Sequence, residues 1–158
     1  MAIDPADFRR ALAQFASGVT AVTTRDASGR PLGLTVTAFS SVSLDPPLVL
    51  VCVDARSETH AGFRDSGAFG VSVLSEAQEE VSKQFAWGGP AKFDKVETVT
   101  GSTGVPLVAG ALAHLECRVA AAHVTGDHTV YVGEIVAMAA HPGRPLTYWQ
   151  GQYRRLRD

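Results

Sequence analysis

The chain has 158 residues, of which 46% are hydrophobic and 19% charged, and a formal net charge of −2. That length suits one domain over residues 1–158 with a core of its own. The near-neutral balance, with no basic stripe, points away from nucleic acid. No apolar run approaches the roughly 18 residues of a membrane span. The acidic start MAIDPADFRR lacks the basic and apolar regions of a secretion signal, so a cytoplasmic protein with no membrane partner is expected.

Asp4 and Pro5 open a helix, Asp4 as cap and Pro5 at the first helical position, with Asp7 near the positive end. It is expected to run to Gly18. Phe8, Leu12 and Phe15, at i, i+4 and i+7, give it an apolar face that must be covered. Residues 19–24 read as a strand and Asp26 to Gly29 as a turn.

The stretch GLTVTAFSSVSLDPPLVLVCVD, from Gly33 to Asp54, carries the strongest pattern. Thr35, Val36 and Thr37 are β-branched and suit a pleated, half-buried surface. Ser40, Ser41 and Ser43 place small hydroxyls where a core strand would hold carbon, and such an edge lets a flat ligand approach the backbone amides. Asp45-Pro46-Pro47 forces a turn, and Leu48 to Val53 is an apolar run of buried-strand length. Gly18 to Val53 is therefore expected as a meander of three antiparallel strands.

A short helix is expected from Arg56 to Ser66 with Ser57 as its N-cap, then a strand from Ala68 to Leu74. Ser75-Glu76-Ala77-Gln78 matches a capping box, so a helix runs on to about Ala86. Trp87 to Gly104 is rich in glycine and is the segment most apt to shape a site. Residues 112–125 and 128–139 are the longest strands, joined by a hairpin at Gly126-Asp127. The tail from Pro145 holds Tyr148, Trp149 and Tyr153. Strands outnumber helices and do not alternate with them, which favours a mainly β fold with peripheral helices, an antiparallel barrel, over a parallel sheet.

Candidate chemistry is sparse. His60, His114, His123, His128 and His141 show no HxH or HxxxH spacing, and neither Cys52 nor Cys117 has a nearby partner, so no metal site is expected. There is no GxSxG elbow, no GxGxxG and no P-loop. Three segments could hold phosphate: the Ser40-Ser41 edge; Ser57 and Thr59, beside Arg56 at a helix start; and Lys92 in the glycine-rich segment. His128 stands at a strand mouth, where an imidazole can orient a substrate.

Together these segments resemble one family, the split-barrel flavin reductases that form the small component of two-component flavin-dependent monooxygenases. The resemblance is carried by Gly18-Val19-Thr20, GLTVTAFSSVSLDPPLVLVCV, Ser57-x-Thr59, Ser66-Gly67-x-Phe69, Lys92-Phe93, Gly126-Asp127-His128 and Gly151-x-Tyr153-Arg154. It implies a homodimeric, six-stranded antiparallel split β-barrel of the FMN-binding type. It implies FMN or FAD as flavin, NADH or NADPH as hydride donor, and a partner monooxygenase that receives reduced flavin. It places Thr35, Val36, Thr37 and Ala38 along the flavin ring, Ser40 and Ser41 near its ribityl chain or phosphate, and Cys52 and Val53 in the pocket wall. Ser57 and Thr59 would hold phosphate, Lys92 and Phe93 would close the same region, His128 would meet the nicotinamide, and Tyr148 and Tyr153 would lie at the pocket mouth. Lys92 stands where the family often has arginine, and a lysine gives a point charge without a bidentate fork. The absence of a nucleophile and of an acid–base pair agrees with such a role, because a flavin brings the hard chemistry itself. A pyridoxamine-phosphate-oxidase-like oxidase and a non-catalytic flavin-binding barrel are the alternatives. The first needs more phosphate clamps than this chain shows, and the second has no use for His128.

Overall fold

The computed structural model describes residues 2–87 and 89–157. Helix α1 (Pro5–Leu12) starts as the sequence predicts, with the Asp4 carboxylate accepting from the amides of Ala6 (2.7 Å) and Asp7 (3.1 Å). It stops five residues before Ser17–Gly18, which form the short strand β1. The helix is cut short by the C-terminal ribbon of β11 (Thr147–Trp149) and β12 (Gln152–Arg154). The Gln150 amide donates to the Ala13 carbonyl (3.1 Å), the Trp149 indole donates to the Gln14 carbonyl (3.2 Å), and β1 pairs with β11. The Phe8, Leu12 and Phe15 face, expected to be covered, is exposed on this chain.

The predicted three-strand meander is four strands in two hairpins: β2 (Thr20–Arg25) with β3 (Pro31–Val36), and β4 (Phe39–Leu44) with β5 (Pro47–Asp54). The break falls at Thr37-Ala38, where the Phe39 amide folds back onto the Thr37 carbonyl (3.0 Å). Strand β6 (Ala68–Val73) and the long hairpin of β9 (Ala113–Thr125) and β10 (His128–Ala140) complete the main sheet. Its order is β3-β2-β6-β9-β10-β5-β4, and every recorded pairing in it is antiparallel. Gly126 turns the β9–β10 hairpin with φ +63°, a conformation open to glycine at little cost.

The six-stranded antiparallel split β-barrel expected above is corrected by this topology: the main sheet has seven strands, and no sheet is closed into a barrel. Its two edges, β3 and β4, are nonetheless tied by two residues. Seven flat strands would hold their edges about 29 Å apart, while three residue steps from Val36 to Phe39 reach at most about 11 Å. The sheet must therefore bend strongly. The two edges do not pair with each other, and groups on β3 are engaged outside the sheet. The Thr35 hydroxyl donates to the Ser82 carbonyl (2.6 Å) and the Lys92 ammonium donates to the Gly33 carbonyl (2.9 Å).

Buried side chains lie on both faces of β2. Val22 joins Val51, Val53, Phe63, Phe69, Val71 and Tyr131 on one side, where Phe63 stacks on Tyr131 (4.1 Å, 14°). Ala21 joins Val19, Leu74, Phe85 and Leu146 on the other. Helix α2 (His60–Ser66) contributes Phe63 to the first cluster, and α3 (Glu79–Trp87) contributes Phe85 to the second. The capping box forms as predicted, Ser75 and Gln78 capping a 3-10 turn that leads into α3. A small hairpin, β7 (Thr98–Thr100) with β8 (Pro106–Val108), lies within and just beyond the glycine-rich segment.

Candidate functional site

The Thr37-Ala38 link is where backbone polarity is left available. The Ala38 carbonyl accepts from the Cys52 amide (3.0 Å) and the Thr37 carbonyl from Phe39. Among the described residues, the amides of Thr37 and Ala38 meet no backbone acceptor outside the strand ladders. An exposed backbone donor is normally paired, with water or with a ligand. These amides sit at the meeting point of two hollows. One, of about 360 Å³, is walled by Leu12, Phe15, Phe39 and Leu50, with Ser17, Thr37, Ser40 and Cys52 as its polar side chains. The other, of about 410 Å³, lies across Thr37 between β3, α3 and the C-terminal ribbon, and includes Thr35, Ser82, Lys83, Trp87, Tyr148 and Tyr153. A third hollow along residues 15–20 also touches Thr37 and joins them. The combined cleft has apolar walls and a short polar floor, which suits a flat heteroaromatic ring with a polar edge.

The structure gathers Thr35, Thr37, Ala38, Ser40, Cys52, Tyr148 and Tyr153 around this cleft. Val36 and Val53 belong to the core instead, 4% and 0% exposed, and support the floor from behind. Ser41 is exposed on β4. Tyr148 and Tyr153 meet edge to face (5.3 Å, 67°), and the hydroxyls of Tyr153 and Ser82 share a hydrogen bond (2.8 Å). The ribbon and α3 are thereby locked together at one end of the cleft. Lys92 and Phe93 lie beside Gly33, with Phe93 edge-on to Phe85 (5.0 Å, 85°).

Ser57 and Thr59 are placed elsewhere. Helix α2 begins at His60, not at Arg56, because Arg56 turns back onto Asp54 through its amide (2.9 Å) and guanidinium (3.0 and 2.7 Å). The expected Ser57 cap is thus corrected: Ser57 accepts from the Thr59 amide (3.3 Å), and the two hydroxyls bond to each other. Thr59 is fully buried, and Ser57 lines a separate groove of about 720 Å³ between α2 and the β9–β10 hairpin. His60 on that groove is engaged on both ring nitrogens, by the Tyr131 hydroxyl (2.7 Å) and the Asp54 carbonyl (2.8 Å).

His128 begins β10 opposite Asp54 in the ladder. The alternation of β5 puts Cys52 and Asp54 on one face, so the His128 backbone stands about 8 Å from that of Cys52 by strand spacing. Its Nδ1 is bonded to the Asp127 carboxylate (2.7 Å), which leaves Nε2 for a ligand, and its side chain is 43% exposed. That hydrogen bond holds the Asp127 carboxyl below the usual carboxylate range. Arg56 does the same to Asp54, chiefly through its guanidinium hydrogen bonds, with His128 adding a smaller attraction. The imidazole is therefore flanked by two ionised carboxylates. Among the described residues, no cluster of histidine, cysteine or acidic side chains could hold a metal ion.

The sequence reasoning missed Leu12, Phe15, Leu50, Ser82 and Lys83 as cleft residues, because they come from α1 and the turn after it, from β5 and from α3, and only the tertiary fold assembles them. Trp87 did carry a signal: a large aromatic between a capped helix and a Gly-Gly-Pro run has little chain left to bury it. No helix among the described residues is long and apolar enough to cross a membrane.

Residues 12–157 match the model of the flavin reductase like domain family. The chain is 45% identical over 149 residues to an FMN reductase (NADH), SmoA, of Agrobacterium fabrum, an alignment spanning 94% of this chain and 84% of that one. It is 39% identical over 153 residues to HsaB, the reductase subunit of a flavin-dependent monooxygenase of Rhodococcus jostii, covering 96% and 78% of the two chains. Among solved structures it is similar to the Streptomyces globisporus NADH:FAD oxidoreductase SgcE6, in complex with NAD and FAD fragments. The TM-score there is 0.91, at 39% identity, over 99% of this chain and 97% of that one.

Proposed function

Because the chain belongs to the flavin reductase like family, we propose that the Thr37 cleft is its flavin site. The protein is an NAD(P)H-dependent flavin reductase that takes FMN or FAD and supplies reduced flavin to a partner monooxygenase. The observation that carries the site assignment is the pair of unclaimed amides at Thr37 and Ala38, set between apolar walls. Those groups fit a flavin, whose ring is flat, largely apolar and polar along one edge.

When bound, the flavin supplies the hydride-accepting ring. Thr37 and Ala38 offer amides to its polar edge, Cys52 and Leu50 pack beside it, and Val36 and Val53 keep the floor rigid. Ser40 and Ser41 serve the ribityl side. Ser57, on the separate groove beside α2, and Thr59, fully buried, take no part in this cleft, and Lys92 with Phe93 closes the region beside Gly33. Tyr148 and Tyr153 form the mouth. His128 orients the nicotinamide carboxamide through Nε2, and hydride transfer requires the two rings to stack with reacting atoms about 3–3.5 Å apart. No proton transfer is asked of the imidazole.

Residues 1–158 form one flavin reductase domain in this reading, working in the cytoplasm where nicotinamide dinucleotides circulate. It works as a homodimer. Support comes from Phe15 (82% exposed), Leu44 (91%) and Met138 (75%), apolar side chains that a second copy would cover. Sedimentation at micromolar concentration tests the dimer, and a monomer there would count against it. The function is tested by adding free FMN or FAD to protein and NADH. Loss of NADH absorbance is expected with at least one flavin, and no loss with either would overturn the reading.

A further inference from the structure

Trp87 is the most exposed aromatic side chain in the folded part of the chain that borders a cavity: 84% of it is open, and it lines the hollow of about 410 Å³ beside Thr37. Burial of a large apolar ring is the rule, so an indole left open at a cavity rim calls for a reason. Packing supplies none. Helix α3 is anchored through Phe85 and Ser82, both buried, and Trp87 lies beyond them as its last residue. The rest of that hollow is poor in unclaimed charge. Lys83 bonds both Glu79 and Glu80 (2.8 Å each) and lies 5.9 Å from the Tyr153 ring centroid. Lys92 nearby is spent on the Gly33 carbonyl. A ligand group entering the hollow thus finds flat π surfaces from Trp87 and the Tyr148–Tyr153 pair, and little free cation to recognise a phosphate.

Resting on the flavin-site reading above, we propose that Trp87 is a stacking platform for the adenine base of a dinucleotide whose redox ring occupies the Thr37 cleft. Both dinucleotides of this reaction, FAD and NAD(P)H, carry that base, and Thr37 is shared by the ring cleft and the Trp87 hollow, so one molecule can lie in both. Adenine has a broad π-face and few groups that an indole must satisfy, and base-on-aromatic stacking is tolerant of exact register. Trp87 would then set the preference for FAD over FMN, or the affinity for the intact nicotinamide dinucleotide, without touching the reacting atoms.

The test uses Trp87→Ala and Trp87→Phe in the full chain; the side chain is exposed, so both variants are expected to fold with an unchanged melting temperature. Four ligands are compared in pairs that differ by adenylate: FAD with FMN, and NADH with reduced nicotinamide mononucleotide. Stacking of this kind corresponds to about a 10-fold effect. Weakening of FAD by about 10-fold in Trp87→Ala, with FMN unmoved and Phe restoring most of the loss, supports the proposal with the flavin as source. A rise of about 10-fold in the KM for NADH, with the mononucleotide unmoved, supports it with the nicotinamide dinucleotide as source. Equal changes within both pairs, or no change in either, overturns it while wild-type flavin reduction leaves the site reading intact. Wild-type protein that binds no flavin overturns both.

Discussion

Gly33 offers the sharpest probe of how the fold holds its cleft. A Cβ built there would lie 2.7 Å from Cε1 of Phe85 and 3.1 Å from Cζ of Phe93. Gly33→Ala therefore adds a methyl group where no space exists. Phe85 cannot retreat, since it is 1% exposed in the core under α3, so Phe93 must give way and carry Lys92 off the Gly33 carbonyl. Overpacking of this kind costs about 1–3 kcal/mol, which for a chain of this length lowers the melting temperature by about 2–12 °C. Displacing Lys92 and Phe93, which close the cleft beside Gly33, should also weaken FMN by about 3- to 10-fold through loss of that closure. The control is Gly70→Ala, whose Cβ would lie 2.6 Å from Cδ2 of Leu107 and 3.0 Å from the Thr23 hydroxyl, away from the cleft. It should cost similar stability and leave FMN affinity alone. Thermal denaturation and flavin titration by fluorescence quenching read both. Equal loss of FMN by the two variants, or a Gly33→Ala melt within 1 °C of wild type by about the same measure, would refute the reasoning.

His128→Ala should lower kcat/KM for NADH by about 10- to 100-fold through mispositioning, with flavin affinity unchanged. Stopped-flow reduction with an unaltered rate and NADH dependence would remove His128 from the site. An alkylating reagent should modify Cys52, half-buried in the cleft, and be slowed by FMN. Cys117 should stay unmodified, because burial, with the Glu116 charge adding, pushes its thiol up to about 12; mass spectrometry of digests shows which cysteine reacts. Glu116 is nearly buried and accepts from the Thr103 amide (2.7 Å), the Thr103 hydroxyl (2.8 Å) and the Ser102 hydroxyl (3.1 Å). Burial opposes its charge, yet these bonds win and hold its carboxyl below the ordinary glutamate value. Its contribution is therefore complete above the unfolded value and is lost as pH falls through the lower folded one. Glu116→Ala should cost about 2–4 kcal/mol at neutral pH, and the gap between it and wild type in urea melts should narrow in acid; a gap independent of pH would count against the assignment.

Much of this molecule was legible in consecutive residues. The Asp4 cap, the Ser75–Gln78 capping box and the glycine at Gly126 each act over a few positions. Their physics is local, so the sequence states it directly. Thr35, Thr37, Ala38, Ser40 and Cys52, which line the cleft, stood in the sequence as a hydroxyl-bearing edge beside a buried strand, and the family resemblance named them together. What stayed hidden depends on competition between distant partners. The first helix ends at Leu12, and the ribbon takes the carbonyls of Ala13 and Gln14 just beyond it. Ser57 misses its cap because Asp54 captures Arg56. On the edge strand β3 the Gly33 carbonyl is taken by Lys92, and the Thr35 hydroxyl by the Ser82 carbonyl. In each case one backbone or side-chain group has several feasible hydrogen-bond partners, and its local sequence ranks them equally. Only the packed chain, by fixing which partner is within about 3 Å and which is left to water, decides among them.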